Sequence, residues 1–169
     1  MNKLYVLFFR FLLFAVLQVF VFNQLNISSY VHIMIAPLYI MILPFDFSIF
    51  RLLIISFFLG AIIDMLSNTF GLHASALVLM AYLRPTVFNW LAPRDGYDPL
   101  KTPSIIEMPK KWFLLVFGIL LSVHHLWFFA IESFSLSEIL LILQKTFFSC
   151  LLSFLVCIIL QPLFLNKAK

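Results

Sequence analysis

GAIIDMLSNTFGLHASALVLMAYLRP, residues 60–85, puts a carboxylate, Asp64, inside an apolar run, with a glycine and a histidine close behind it. What Asp64 does there depends on the solvent around the chain. The 169 residues are 64% hydrophobic, 18% aromatic and 11% charged, with mean hydropathy +1.11. Soluble domains are about 45–50% apolar and about 25% charged. A water-soluble fold could not hide this much apolar surface, so the expected solvent is the lipid bilayer. The length predicts one domain, 1–169. The formal net charge of +4 follows from where basic residues fall along the chain and does not signal nucleic-acid binding.

Outward from residues 60–85, six apolar segments approach the roughly 20 residues needed to cross a bilayer. They are 4–22, 27–43, 47–66, 70–91, 112–131 and 146–165. The expected fold is all-α and polytopic, with six transmembrane helices. Segment 27–43 is the weakest: it is short, holds His32, and Pro37 predicts a kink. The last segment has room to begin earlier, near Ser137, as an interfacial helix. With the N-terminus in the cytoplasm, ten of the eleven Lys and Arg residues fall inside and only Lys145 falls outside. The positive-inside rule selects this orientation and rejects its inverse. It places both termini in the cytoplasm. The first segment resembles a signal peptide, but bulky, polar Asn23-Gln24-Leu25-Asn26 offers no small-residue cleavage site, so a retained span is expected.

Cys150 and Cys157 are seven apart, about 10 Å of helical rise, too far for a disulfide. They read as packing residues. Gln18 reads as an interhelical hydrogen-bonding group. The loop 92–109 carries four prolines together with Arg94, Asp95, Gly96, Asp98 and Lys101. It is too polar for the membrane and too rich in proline for a long helix. Two readings stay open for it: a solvated linker, or a docking surface for a cytoplasmic partner.

Asp64 lies near the outer end of the third segment. At mid-bilayer an Asp costs about 2.5–3.5 kcal/mol on insertion scales; near the edge it costs less but still needs a partner. Residues 67–70 allow only a tight hairpin, so His73 returns to the same depth. Asp64 can meet His73 across the hairpin, or accept from the free N–H groups that open the fourth helix. Ser56, Gly60 and Asp64 are four apart on one helix face. Gly71 and Ser75 repeat that spacing on the fourth helix, with Ala74 and Ala81 on an adjacent stripe, and small residues let helices approach in lipid. Arg84 reads either as snorkelling to the headgroups or as meeting an anionic lipid or a partner.

Gly60, Asp64, Gly71-Leu72-His73-Ala74 and Ala81-Tyr82 resemble the signature region of the rod shape-determining MreD family, as do the six-span layout and short tails. The loop 92–109 and Arg84-Pro85 match no family feature. The resemblance implies a non-catalytic membrane member of the bacterial elongation machinery. Its implied partner is an MreC-like single-span protein, within a wider complex of an MreB-like cytoskeleton and wall-synthesis enzymes. It implies a fold similar to the substrate-binding component of energy-coupling-factor transporters, and a homodimer is compatible with it.

That similarity supplies the alternative, a vitamin-binding transporter component. Such components carry small residues four apart on the first helix; here residues 11–20 hold only Ala15. Polar residues for a vitamin are sparse: Asn23, Gln24, Asn26, Ser28, Ser29 and His32. An enzyme is a third class. His124 and His125 are adjacent and point about 100° apart on a helix, whereas paired helical ligands sit three or four apart. No metal, cofactor or catalytic group is implied.

Overall fold

The computed structural model describes residues 3–25, 30–94, 96–98, 101–134 and 136–164. Asn26, Ser28, Ser29, Asp95, Pro99, Lys167 and Lys169 lie outside the described residues. Six α-helices follow one another: α1 (Lys3–Phe20), α2 (Ala36–Met41), α3 (Ile49–Ser67), α4 (Leu72–Trp90), α5 (Lys110–Ser133) and α6 (Ile139–Phe164). Short 3₁₀ turns at Phe22–Gln24 and Leu136–Glu138 follow α1 and lead into α6. The stretches Leu4–Gln24, Ile49–Ser67, Lys110–Ser133 and Ile139–Pro162 are long and apolar enough to cross a membrane. α4 matches α3 in length, at 19 residues, but carries His73, Arg84 and Asn89 and is less apolar. α6 starts at Ile139, as the reading of an early start anticipates.

The second apolar segment is not a long helix. Pro37 sits in the first turn of α2, where its missing N–H and fixed φ suit a helix start, so it opens a helix instead of kinking one. Only six residues are helical, and all six are buried. Ahead of them, residues 31–35 run through the bundle without helical hydrogen bonds. Non-helical backbone at membrane depth is tolerated only where protein satisfies its polar groups.

Side chains from two helices do this. The Ile35 amide donates to Gln18 Oε1 at 2.7 Å and the Ala36 amide to the same oxygen at 3.3 Å. Gln18 Nε2 donates to the Ile33 carbonyl at 3.0 Å and to Asn23 Oδ1 at 2.7 Å. On the other side, the amides of His32 and Met34 donate to Ser149 Oγ (3.0 Å) and Ser153 Oγ (2.9 Å). The match is geometric. Alternate amides of an extended chain are about 6.6 Å apart, and residues four apart on a helix rise by about 6.0 Å. Cys157, four further on, directs its thiol at the Met34 carbonyl. His125 completes the relay. Its Nδ1 lies 2.9 Å from the Leu121 carbonyl, which can only accept, so Nε2 accepts from Ser153 Oγ at 3.1 Å.

The loop after α4 is anchored, not free. Tyr97 stacks on Phe45 with ring centroids 4.6 Å apart and donates its hydroxyl to the Phe88 carbonyl at 2.7 Å. Ser104 and Met108 are buried, and the Ile105 amide donates to Gln161 Oε1 at 3.0 Å.

Gln18→Leu should strand the Ile35 and Ala36 amides. At about 1–3 kcal/mol per buried unsatisfied group, the variant should unfold at a clearly lower temperature in detergent. Ser153→Ala should lose less, because it strands one amide and the His125 Nε2, whereas Gln18→Leu strands two amides, the Ile33 carbonyl and Asn23 Oδ1. Wild-type thermal stability in Gln18→Leu would show that the 31–35 backbone does not depend on this side chain.

Candidate functional site

The turn between α3 and α4 reverses the chain in four residues, 68–71. Asn68 (φ 55°), Phe70 (φ 46°) and Gly71 (φ 89°) all adopt the left-handed conformation. Gly71, immediately before α4, is the residue type that takes this conformation at least cost.

This reversal brings the first turn of α4 onto Asp64, which is only 6% exposed. Asp64 Oδ1 accepts from Thr69 Oγ1 (2.5 Å), the His73 amide (3.0 Å) and His73 Nδ1 (3.0 Å). Oδ2 accepts from the Ala74 amide at 2.9 Å. The two partners read from sequence, the imidazole and the helix N-terminus, are therefore engaged together. A carboxylate there satisfies orphan amides and complements the helix dipole. The acceptor oxygen places the His73 proton on Nδ1, and the ring rests edge-on against Phe128 with centroids 4.8 Å apart.

Gly60, one turn before Asp64, makes the approach close enough. A Cβ at Gly60 would lie 2.3 Å from Ala74 Cα and 2.5 Å from its amide nitrogen. The backbones therefore touch at the residue whose amide Asp64 holds. Ser56, Gly60 and Asp64 share the buried face, as their spacing predicts. On α4 the facing small residue is Ala74, on the adjacent stripe; Gly71 and Ser75 are only partly buried. Sequence reasoning did not assign Thr69. Its one signal is a hydroxyl five residues after an acid, inside the turn.

Arg84 does not snorkel. It is 2% exposed, in the interior near the opposite end of α4. Its Nη2 donates to the carbonyls of Leu43 and, at 3.3 Å, Met41, and its guanidinium lies 4.5 Å from the Phe88 ring centroid. The cation thus closes the C-terminal carbonyls of α2, as helix C-termini favour. Gly60, Asp64, Gly71 and His73 form one cluster, and Arg84 stands apart from it.

At the hairpin end a cavity of about 200 Å³ is lined by Asn23, His32, Ser67, Thr69, His73 and Glu132, among others. Small-molecule sites occupy about 300–1,000 Å³. Of the two histidines on α5, His125 is hydrogen-bonded, whereas neither ring nitrogen of fully buried His124 has a partner. No group of three or more potential metal ligands occurs among the described residues.

Comparison of the chain with protein-family models, curated proteins and solved structures finds no match. The fold and composition define an all-helical chain with four helices suited to cross a membrane.

Gly60→Ala should push α4 off α3 and detach Asp64 from Ala74, lowering the unfolding temperature in detergent. Asp64→Ala should cost about 3 kcal/mol or more by orphaning the Thr69 hydroxyl and two amides. Asp64→Asn keeps one acceptor oxygen and should lose less. Gly60→Ala melting with the wild type would contradict the backbone contact.

Proposed function

We propose that this chain is a non-catalytic scaffold of the bacterial cell-elongation complex, regulating cell shape and peptidoglycan synthesis by binding an MreC-like single-span partner. In this reading the chain sits in the inner membrane with both termini in the cytoplasm. Segment 27–43 makes the second of six passes as the 31–35 strand-like run plus α2. An MreB-like cytoskeleton and wall-synthesis enzymes form the wider complex.

One observation carries the reading. The glycines and the acid of the MreD-like signature are used up in architecture: Gly60 seats the Ala74 backbone, Gly71 makes the turn, and both oxygens of Asp64 are occupied by Thr69, His73 and Ala74. A motif used this way builds a rigid surface and leaves no free carboxylate for chemistry. A partner helix has a place to seat. Between α5 and α6 runs an open groove of about 600 Å³ lined by Gly118, Ser122, Thr146 and Cys150 with larger apolar neighbours. Helices associate in lipid through small residues and hydroxyls of this kind.

The alternative, a vitamin-binding component of an energy-coupling-factor transporter, draws its support from the polar cavity beside His73. Its volume of about 200 Å³ falls below the range of small-molecule sites.

The test is partner recovery from native membranes through a C-terminal tag in mild detergent, read by mass spectrometry. A single-span MreC-like protein with wall-synthesis enzymes is expected. Asp64→Leu should reduce that recovery sharply, and His73→Leu should reduce it less. Recovery of an ATPase pair with a large membrane coupling subunit would replace the scaffold with vitamin uptake.

A further inference from the structure

A second cavity, of about 310 Å³, opens between the start of α3 and the end of α4. Its volume lies at the lower edge of the range for ligand sites. Its lining includes Arg84, Asp46, Phe45, Phe88, Tyr97 and Asn89. The charges in it are unusual for their lack of counter-ions. Two ion pairs occur among the described residues, His73–Asp64 and Lys145–Glu132, and Arg84 belongs to neither. Among the described residues its hydrogen bonds run from Nη2 to two carbonyls, and its Nε has no hydrogen-bond partner there. A guanidinium has five donors, and a buried cation without a counter-ion is costly. Asp46 is exposed on the same cavity. Arg51 donates to its backbone carbonyl at 3.0 Å, while its carboxylate makes no ion pair.

The cavity therefore offers a deep cation, an exposed anion and aromatic faces from the stacked Phe45–Tyr97 pair. Its depth matches a membrane boundary. It lies where α3 begins and α4 ends, next to Trp112, whose indole donates to the Leu91 carbonyl at 2.8 Å. Trp and Tyr concentrate at that level. At the same end of α3, on its outer face, Phe50 and Ile54 expose apolar surface.

We propose that this cavity binds the headgroup of a zwitterionic, amine-bearing phospholipid. The phosphate sits on Arg84, where a guanidinium can engage two oxygens. The ammonium sits between Asp46 and the aromatic faces, by ion pairing and cation–π attraction. A purely anionic headgroup would satisfy Arg84 but meet Asp46 unfavourably, so the pair of charges selects for the amine. This inference rests on the cavity alone and is independent of the scaffold reading.

The experiment is native mass spectrometry of the full chain in mixed micelles. These hold equal amounts of phosphatidylethanolamine and phosphatidylglycerol with identical acyl chains. At about 1 kcal/mol per charged contact, phosphatidylethanolamine should be retained roughly fivefold over phosphatidylglycerol. Asp46→Asn, a change at an exposed side chain, should erase that preference while both lipids still bind. Asn89→Trp should fill the cavity from its exposed edge and release the lipid with Arg84 in place. Arg84→Gln should lose both lipids. Absence of a preference in the wild type, or an unchanged preference in Asp46→Asn, would overturn the proposal. So would displacement of the lipid by micromolar soluble O-phosphoethanolamine, which would assign the cavity to a soluble phosphorylated amine instead.

Discussion

Residues 31–35 enter the bundle without a helix, and the amides of buried Met34 and Ile35 cannot turn to water. The polar contacts of α1 and α6 with the core follow from satisfying them. Gln18 supplies both an acceptor and a donor from α1, reaching Ile35, Ala36 and Ile33. Ser149 and Ser153 supply hydroxyls from α6. The segment thereby ties together the first and last helices of the chain, which are remote in sequence. In a low-dielectric interior each of these bonds is strong because the alternative is an orphaned amide. Two helices rich in outward-facing apolar surface are thus held to the core by a few polar contacts together with the packing of Phe14, Ala15, Val19 and Cys157.

α4 is the least apolar of the long helices because it is clamped at both ends. Asp64 on α3 holds its first turn, and Arg84 on α4 itself reaches across to the last carbonyls of the α2 region. The two clamps are chemically opposite, an anion at a helix N-terminus and a cation at helix C-terminal carbonyls, and each matches the local dipole. They also differ in completeness. The Asp64 oxygens are fully engaged, whereas Arg84 keeps Nε unpartnered and faces a cavity. Architecture accounts for all of the first site and only for part of the second.

The hairpin lock and the buried strand-like segment make a rigid frame around an apolar exterior. Such a frame suits a protein that acts by presenting surfaces to neighbours in the membrane. The scaffold reading uses the α5–α6 groove for a protein helix, and the headgroup reading uses the α3–α4 boundary for a lipid. The two surfaces lie on different elements, so one chain can serve both.

Composition alone determined that the solvent is lipid, and hydropathy determined where the long helices α1, α3, α5 and α6 run. The spacing of Ser56, Gly60 and Asp64 marked the hairpin face, because helical periodicity is local and survives any packing. Proximity of Asp64 to His73 was legible too, since a four-residue turn leaves little freedom. Other features were not legible. Pro37 reads as a kink from sequence, and only the buried acceptors Gln18, Ser149 and Ser153 make an unwound lead-in, with Pro37 at a helix start, stable. Ser149 and Ser153 lie more than a hundred residues from the amides they satisfy. Arg84 looks like any interfacial arginine until the end of α2 is folded against it. Local pattern fixes what each segment can be, but the pairing of polar groups across distant segments is decided by the tertiary structure, because a buried donor is stable only where an acceptor is brought to it.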